Sequence, residues 1–447
     1  MRQVPDVIVV GAGAAGLAAA AELGRSGLAV VILEARNRIG GRMFTQRDPV
    51  WQVPIEFGAE FIHGLPPEIW EPLQARGVVI TEVAGDLWCS ENGSLSSRDF
   101  FSTVDDILKK MTDISEDESF LSFLDRHFPA SPGDPERQEA RRRALSYVTG
   151  FNAADPDRVG VRWLVVGMRA EEKIEGHRAF RSKNGYEDLL DIFRQQLTET
   201  GVSTQTETIV DSIDWTQGRI ELTVRRGAES SKLNTRRVLV TLPLGVLKAK
   251  EAGTVRFSPA LPPKKLEALE KLEMGTVMRV TFRFRSRFWE TISPFQGGPK
   301  TLSEMSFLFS RDDFYPTWWT KTPEEVPIIT GWAPFRSAER LSGMSRSFVI
   351  ERGLKTLSSL LNITSERLES LLDDAYFHDW QNDPFSCGAY SYGAVGSDGA
   401  QEALASPIGN MLFFAGEATD TSGHNGTVHG AIASGRRAAA EIVKTLR

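Results

Sequence analysis

The fold is decided near the start of the chain, by Asp6-Val7-Ile8-Val9-Val10-Gly11-Ala12-Gly13-Ala14-Ala15-Gly16 and then Leu28-Ala29-Val30-Val31-Ile32-Leu33-Glu34. Val7 to Val10 is an unbroken apolar run, which predicts a short strand buried on both faces. Residues 14–24 are rich in Ala and Leu and predict a helix that Gly27 ends, and Leu28 to Leu33 predicts a second buried strand. Strand, helix and strand in that order form a βαβ unit, which needs a parallel sheet covered by helices. Between the first strand and the helix stands G-x-G-x-x-G. Gly11 permits the tight turn, Gly13 lets the backbone approach a pyrophosphate, and Gly16 lets helix and strand pack closely. The helix N-terminus, at Ala14, offers free N–H groups and a partial positive charge to phosphates. Glu34 ends the second strand 23 residues after Gly11, beside Ala35. An acid there accepts ribose hydroxyls and disfavours a 2′-phosphate.

Outward from this unit, residues 97–200 are charged and mostly helical, with a break from Pro129 to Pro135. Tyr186 to Leu197 places Leu189, Leu190, Phe193 and Leu197 on one helical face. Strands return from Val202 to Leu242, and Val277 to Phe284 alternates as a strand. Residues 285–345 mix Trp, Phe, Pro and Gly without a clear period. Ser347 to Leu361 and Ser365 to Leu372 predict helices, Asn410 to Ala415 a last buried strand, and Val428 the start of a long helix. Dinucleotide-type segments therefore sit at both ends and in the middle. The expectation is an α/β Rossmann-type domain (1–84, 205–284 and 385–447) interleaved with an α+β substrate domain (85–204 and 285–384).

Composition bounds the function. The chain has 447 residues, 41% hydrophobic and 25% charged, enough for two or three domains of about 150 residues. Its 52 basic and 59 acidic residues give a net charge of −7, a poor match to nucleic acid. The two distant cysteines, Cys89 and Cys387, form neither a disulfide framework nor a zinc site, and no metal constellation is apparent. The simplest reading is a reducing compartment, the cytoplasm. No signal peptide precedes Val7, no apolar run approaches about 18 residues, and no membrane association is expected.

The next residues, Glu34-Ala35-Arg36-Asn37-Arg38-Ile39-Gly40-Gly41-Arg42, resemble the flavin-containing amine oxidase family, which includes monoamine oxidases, polyamine oxidases and lysine-specific histone demethylases. The resemblance continues through Gly58-Ala59-Glu60-Phe61-Ile62-His63-Gly64 and Thr241-Leu242-Pro243-Leu244-Gly245-Val246-Leu247. It ends with Phe414-Ala415-Gly416-Glu417-Ala418-Thr419 and Gly426-Thr427-Val428-His429-Gly430-Ala431. It implies FAD as cofactor. Arg36, Gly41 and Arg42 would serve the pyrophosphate, Glu417 the ribityl chain, Val210 the adenine through its backbone, and the Val428 N–H the pyrimidine edge of the flavin. His429 is read as a packed or capping residue without chemistry. In this family an uncharged amine loses a hydride equivalent from its α-carbon to flavin N5, the imine hydrolyses, and dioxygen becomes hydrogen peroxide.

Trp380 and Tyr390 match the family's aromatic stretch beside the flavin, and His63 matches the His-Gly pair near the pocket mouth of animal-type polyamine oxidases. The chain departs from the pattern in three places. Ala389 stands where monoamine oxidases link the flavin through Cys, so the expected FAD is non-covalent; Cys387 is out of register. Thr427 stands at the second aromatic of the monoamine oxidase cage; His424 lies nearby as a candidate replacement for that aromatic, in a loop whose extra residue leaves its register open. Arg279 follows Gly275 where the family usually has a Lys that holds a water against N5. Arg279 shares a strand face with Thr281 and Arg283, and that face is either solvated or turned to the flavin.

Other features have plain readings. Arg141-Arg142-Arg143 reads as a solvated helical face, and Trp318, Trp319 and Trp332 as channel lining or packing. Asn362-Ile363-Thr364 fits a glycosylation sequon, which has no meaning without secretion. No insertion resembles the helical tower of histone demethylases, which disfavours a chromatin role. The expected activity is oxidation of a small amine by dioxygen, polyamines ahead of aromatic monoamines. The alternatives are an L-amino-acid oxidase with Arg279 clamping the carboxylate, and a flavin-binding escort without turnover.

Overall fold

The computed structural model describes residues 4–91, 94–97, 105–131, 133–216, 218–250, 253–294 and 300–446. Met1 to Gln3 and Arg447, at the two ends read above, lie outside the described residues. So do Pro132 in the Pro-rich break and 295–299 in the mixed stretch.

The βαβ unit forms as expected. Val7–Val10 leads into the helix Ala14–Arg25, and the second strand is Val30–Leu33. These strands sit in a five-stranded parallel sheet ordered Ser203–Gln205, Val30–Leu33, Val7–Val10, Arg237–Val240, Leu412–Phe414. Alternation along the strand divides its side chains between two cores. Val7 and Val9 join the helices Ala14–Arg25, Glu187–Glu199 and Val428–Lys444. Ile8 and Val10 face a four-stranded sheet built on Ile209–Thr216 and Arg219–Arg226. Burial on both sides is why the run carries no polar residue. The order reverses beside Val7–Val10, and ligands of such sheets bind at that point, beyond the carboxyl ends of the strands.

A second, seven-stranded sheet runs Leu372–Tyr376, Val277–Phe284, Ile328–Pro334, Thr317–Thr320, Met305–Phe309, Asp86–Glu91, Ser94–Ser96. Its core packs against the helix Arg346–Leu361. The mixed stretch 285–345 thus supplies three adjacent strands, where alternating aromatics fill one face: Trp318 lies over Gly331 and stacks on Phe282. Val277–Phe284, grouped by sequence with the dinucleotide segments, pairs instead with strands of this second sheet on both sides. The helices between residues 105 and 173 form a separate cluster around Phe120, Phe123 and Leu164. Asn362 of the sequon adopts the left-handed conformation that ends Arg346–Leu361, and Thr364 caps the next helix. Among the described residues, no helix is long and apolar enough to cross a membrane.

Candidate active site

The two sheets enclose a cavity of about 1960 Å³. That is roughly twice the upper end of the ~300–1,000 Å³ usual for a small-ligand site, so it has room for a dinucleotide and a second molecule. Every site residue named from sequence lines it except Gly16. Gly16 acts from behind, because a Cβ there would strike the Gly11 carbonyl.

At the nucleotide end the residues present fit FAD. The helix Ala14–Arg25 begins at Gly13 with no side-chain cap, which leaves its first N–H groups facing the cavity. Among the described residues, none beyond its chain neighbours comes within 4 Å of where a Gly13 Cβ would be, so the cradle is open on that side. The buried Glu34 carboxylate is aimed by two backbone donors, Ala12 N at 2.8 Å and Arg36 N at 2.9 Å. Val210 lies beside a bulge in its strand and lines the cavity.

The two arginines expected at the pyrophosphate have protein partners. Arg36 Nη2 donates to Asp383 at 2.7 Å and to Ser386 at 3.0 Å. Burial would raise the Asp383 carboxyl, but hydrogen bonds from His378 and Arg36 hold it well below the usual range. Arg42 Nη1 donates to the Ala389 carbonyl at 2.7 Å and to Glu417 Oε1 at 3.0 Å. Glu417 also accepts from Ser391 Oγ (2.6 Å) and Gly426 N (2.9 Å), so Ser391 joins a site from which sequence reasoning had omitted it.

Trp380, Tyr390, His63 and Thr427 converge on the same space. Trp380 is fixed by its Nε1 donating to the Phe57 carbonyl at 2.7 Å. Tyr390 donates its hydroxyl to the Phe151 carbonyl at 2.9 Å, and burial pushes its phenol well above the ordinary value. Burial holds the His63 imidazole below its usual range, so the ring is neutral at neutral pH. Thr427 serves as helix cap, accepting from Gly430 N at 3.0 Å.

Arg279 corrects the sequence reading most. Its face is not solvated: Arg279, Thr281 and Arg283 are all buried. Neighbouring strands flank Val277–Phe284 on both sides, and buried carboxylates cover the polar face, Glu60 over Arg279 and Asp48 over Arg283. Arg279 Nη1 donates to Glu60 Oε2 and the Glu56 carbonyl, both at 2.9 Å, and Nη2 donates to the Gly58 carbonyl. The guanidinium lies 5.7 Å from both the Trp319 and Trp332 rings. Glu60 also accepts from Arg181 at 3.0 Å, Lys321 at 3.2 Å and Trp319 Nε1 at 3.2 Å. Burial alone would raise the Glu60 carboxyl, but Lys321, Arg181 and Arg279 together lower it to about 2.

The reading of Arg141 to Arg143 as a solvated face is corrected. Arg143 is buried in the cavity wall and paired with Glu139, while Arg141 and Arg142 are partly exposed and paired with Asp125 and Glu139. Of the three tryptophans, Trp318 is pure packing while Trp319 and Trp332 line the cavity. His424 does not replace an aromatic of the cage. Its ring packs on His429, 4.7 Å between centroids, near Glu171.

Glu56, next to this network, gives a pH prediction. Burial raises its carboxyl to about 7, while Tyr186 N and Thr45 Oγ1 donate to it at 2.7 and 2.8 Å. A folded value above the unfolded one contributes stability that is complete below pH ~4.5 and lost as pH rises through ~7. Glu56→Gln removes the titration; its Oε1 still accepts from Tyr186 N, and its amide N–H donates to Thr45 Oγ1 in place of the hydroxyl's own donation. The variant should gain on the parent by on the order of 2–3 kcal/mol between pH ~5 and ~8, since each tenfold change in proton affinity is worth about 1.36 kcal/mol. Urea melts across that range check it; parallel curves for the two proteins would refute it.

A parallel sheet with a Gly-rich turn, an acid after the second strand and a cavity floored by the last helix defines a dinucleotide-binding flavoprotein fold. A Rossmann-like NAD(P)-binding profile matches residues 9–75. The flavin-containing amine oxidoreductase profile matches residues 101–443, and the chain belongs to that family. It is 26% identical to polyamine oxidase 5 of Oryza sativa subsp. japonica, over 99% of this chain and 88% of that protein. It is 25% identical to lysine-specific histone demethylase 1 homolog 3 of Arabidopsis thaliana, over 99% of this chain and 30% of that much longer protein. In fold it matches putrescine oxidase bound to putrescine (TM-score 0.78, 19% identity, 99% of both chains). It also matches cyclohexylamine oxidase from Brevibacterium oxydans IH-35A (TM-score 0.78, 21% identity, 99% of this chain and 100% of that one).

Proposed function

We propose that the protein oxidises small amines, polyamines ahead of aromatic monoamines, passing electrons through a non-covalently held FAD to dioxygen. The observation that carries this is the continuous cavity running from the Gly13 cradle to Trp380, Tyr390 and His63. When bound, the flavin supplies the two-electron acceptor for the amine α-carbon. The chain's residues bind, orient and keep the site dry. Trp380 and Tyr390 form a rigid aromatic wall for the amine, each locked by a hydrogen bond to a backbone carbonyl. Neutral His63 accepts a hydrogen bond from an ammonium entering the cavity. Ala389 offers no atom for a covalent link, and Cys387 is not among the residues lining the cavity. The division into interleaved nucleotide and substrate segments, and a cytoplasmic setting for two free thiols, belong to the same reading.

Arg279 bears on the amino-acid alternative. Three of its five N–H donors are taken by Glu60 and two backbone carbonyls, so a substrate carboxylate has to compete with Glu60 for this guanidinium. The test is anaerobic mixing of the yellow protein with putrescine, spermidine, benzylamine and L-amino acids. Bleaching by the diamine and polyamine, with peroxide released on adding air, is the expected result. Bleaching by amino acids alone would overturn the substrate class, and no bleaching by any of them would overturn the enzyme reading.

A further inference from the structure

We propose that Glu171, His424 and His429 form a binding site for one divalent transition-metal ion of the zinc class, set in the cavity wall. Three elements bring these residues together. Glu171 is in the last turn of the helix Val161–Lys173, His424 in the loop before the C-terminal helix, and His429 in the first turn of Val428–Lys444. One ligand atom from each lies within 4.8 Å of the other two, and His424 Nδ1 is 3.8 Å from Glu171 Oε1. A tetrahedral ion with bonds of about 2.0–2.1 Å sets its ligand atoms roughly 3.4 Å apart, so small side-chain rotations close the site.

The second observation is that this cluster is unsatisfied. Among the described residues, Glu171 Oε2, His424 Nδ1 and His429 Nε2 are all buried without a hydrogen-bond partner, and His429 is only 3% exposed. Leaving a buried polar atom unpaired is costly, and three of them converge here. One ion would satisfy all three.

The surroundings hold the ligands in place. Asp420 Oδ2 accepts from His424 N at 2.8 Å, and Thr427 Oγ1 donates to the His424 carbonyl at 2.7 Å, so the loop is pinned on both sides of the ring. A Cβ at Gly176 would strike the Glu171 carboxylate, and a Cβ at Gly423 would meet Val166 and Ala170 of the same helix. Two imidazoles and one carboxylate suit zinc or iron(II) and do not suit calcium or magnesium, which prefer oxygen. Glu171 and His429 both line the cavity.

The test uses the flavin-loaded protein, freed of metal by a chelator and titrated calorimetrically with zinc chloride alone. One ion per chain is expected. His424→Ala should weaken binding at least about a hundredfold, and Glu171→Gln, which keeps the shape of the side chain, at least about tenfold. Absence of saturable binding up to about 1 mM zinc would overturn the site and leave a bridging water as the satisfier of the three atoms. Equal binding by parent and Glu171→Gln would also overturn it. The readout is metal and not turnover, so the result is independent of the substrate reading.

Discussion

Replacing Glu60 with Gln is expected to lower folding stability by about 3–5 kcal/mol, the usual cost of removing one partner from a buried ion cluster. The loss is large because Glu60 is the shared counter-charge of Arg279, Arg181 and Lys321. Arg279 and Lys321 are themselves buried, with 6% and 4% exposure. Without the carboxylate, three cations face one another across a low-dielectric interior, and the nearest acid, Glu56, is only partly ionised at neutral pH. The pH dependence has the opposite sign to that of Glu56. A carboxyl lowered to about 2 in the folded state contributes stability present above pH ~4.5 and lost as pH falls through ~2. Urea denaturation at pH ~7 followed by circular dichroism measures the difference, and a change below about 1 kcal/mol would show that the cluster is not coupled as drawn. The control is Arg181→Gln, which leaves Glu60 with two cations and should cost less.

The second large effect separates folding from cofactor loading. Gly13→Val should leave the apoprotein folded yet yield colourless protein, with FAD affinity lowered at least a hundredfold, about 2.8 kcal/mol at 1.4 kcal/mol per tenfold. Gly13 has φ −77 and ψ −178, extended backbone open to any residue, and no protein atom stands where its Cβ would go. The new side chain therefore meets only the space meant for the diphosphate. Gly16→Val is the contrast. Its Cβ would strike the Gly11 carbonyl, so folding and loading should fail together. Yellow Gly13→Val protein with a normal flavin content would remove the phosphate cradle from this turn.

The parts legible in the sequence are those set by local rules. Val7 to Glu34 carries strand period, turn chemistry and helix composition within one short span, and all three agree. Val277–Phe284 was legible as a strand, with its limits correct. Its surroundings were not, because alternation tells which side chains share a face and not what covers that face. The cover over Arg279 comes from Glu60, 219 positions away in sequence. A faint signal existed: Glu56 sits between Ile55 and Phe57, and Lys321 follows Trp318-Trp319-Thr320, each a charge in an apolar setting. Residues 285–345 hid three strands because their aromatics serve inter-strand packing, which swamps the period-2 pattern. Glu171 and His424 carried no signal at all. Their meeting depends on how a helix and a distant loop are stacked.

The order of strands in the five-stranded sheet also bears on biosynthesis. Its edge strand, Leu412–Phe414, and the helix Val428–Lys444 that packs on Ala14–Arg25 are translated after every other strand of that sheet. The Ala-rich first helix is fully apolar on its buried side and waits for that partner while some four hundred codons, roughly the interval between Arg25 and Val428, are read, open to chaperones. The wall that Gly416, Glu417, Thr427 and Val428 give the cavity is therefore the last part of it to be synthesised.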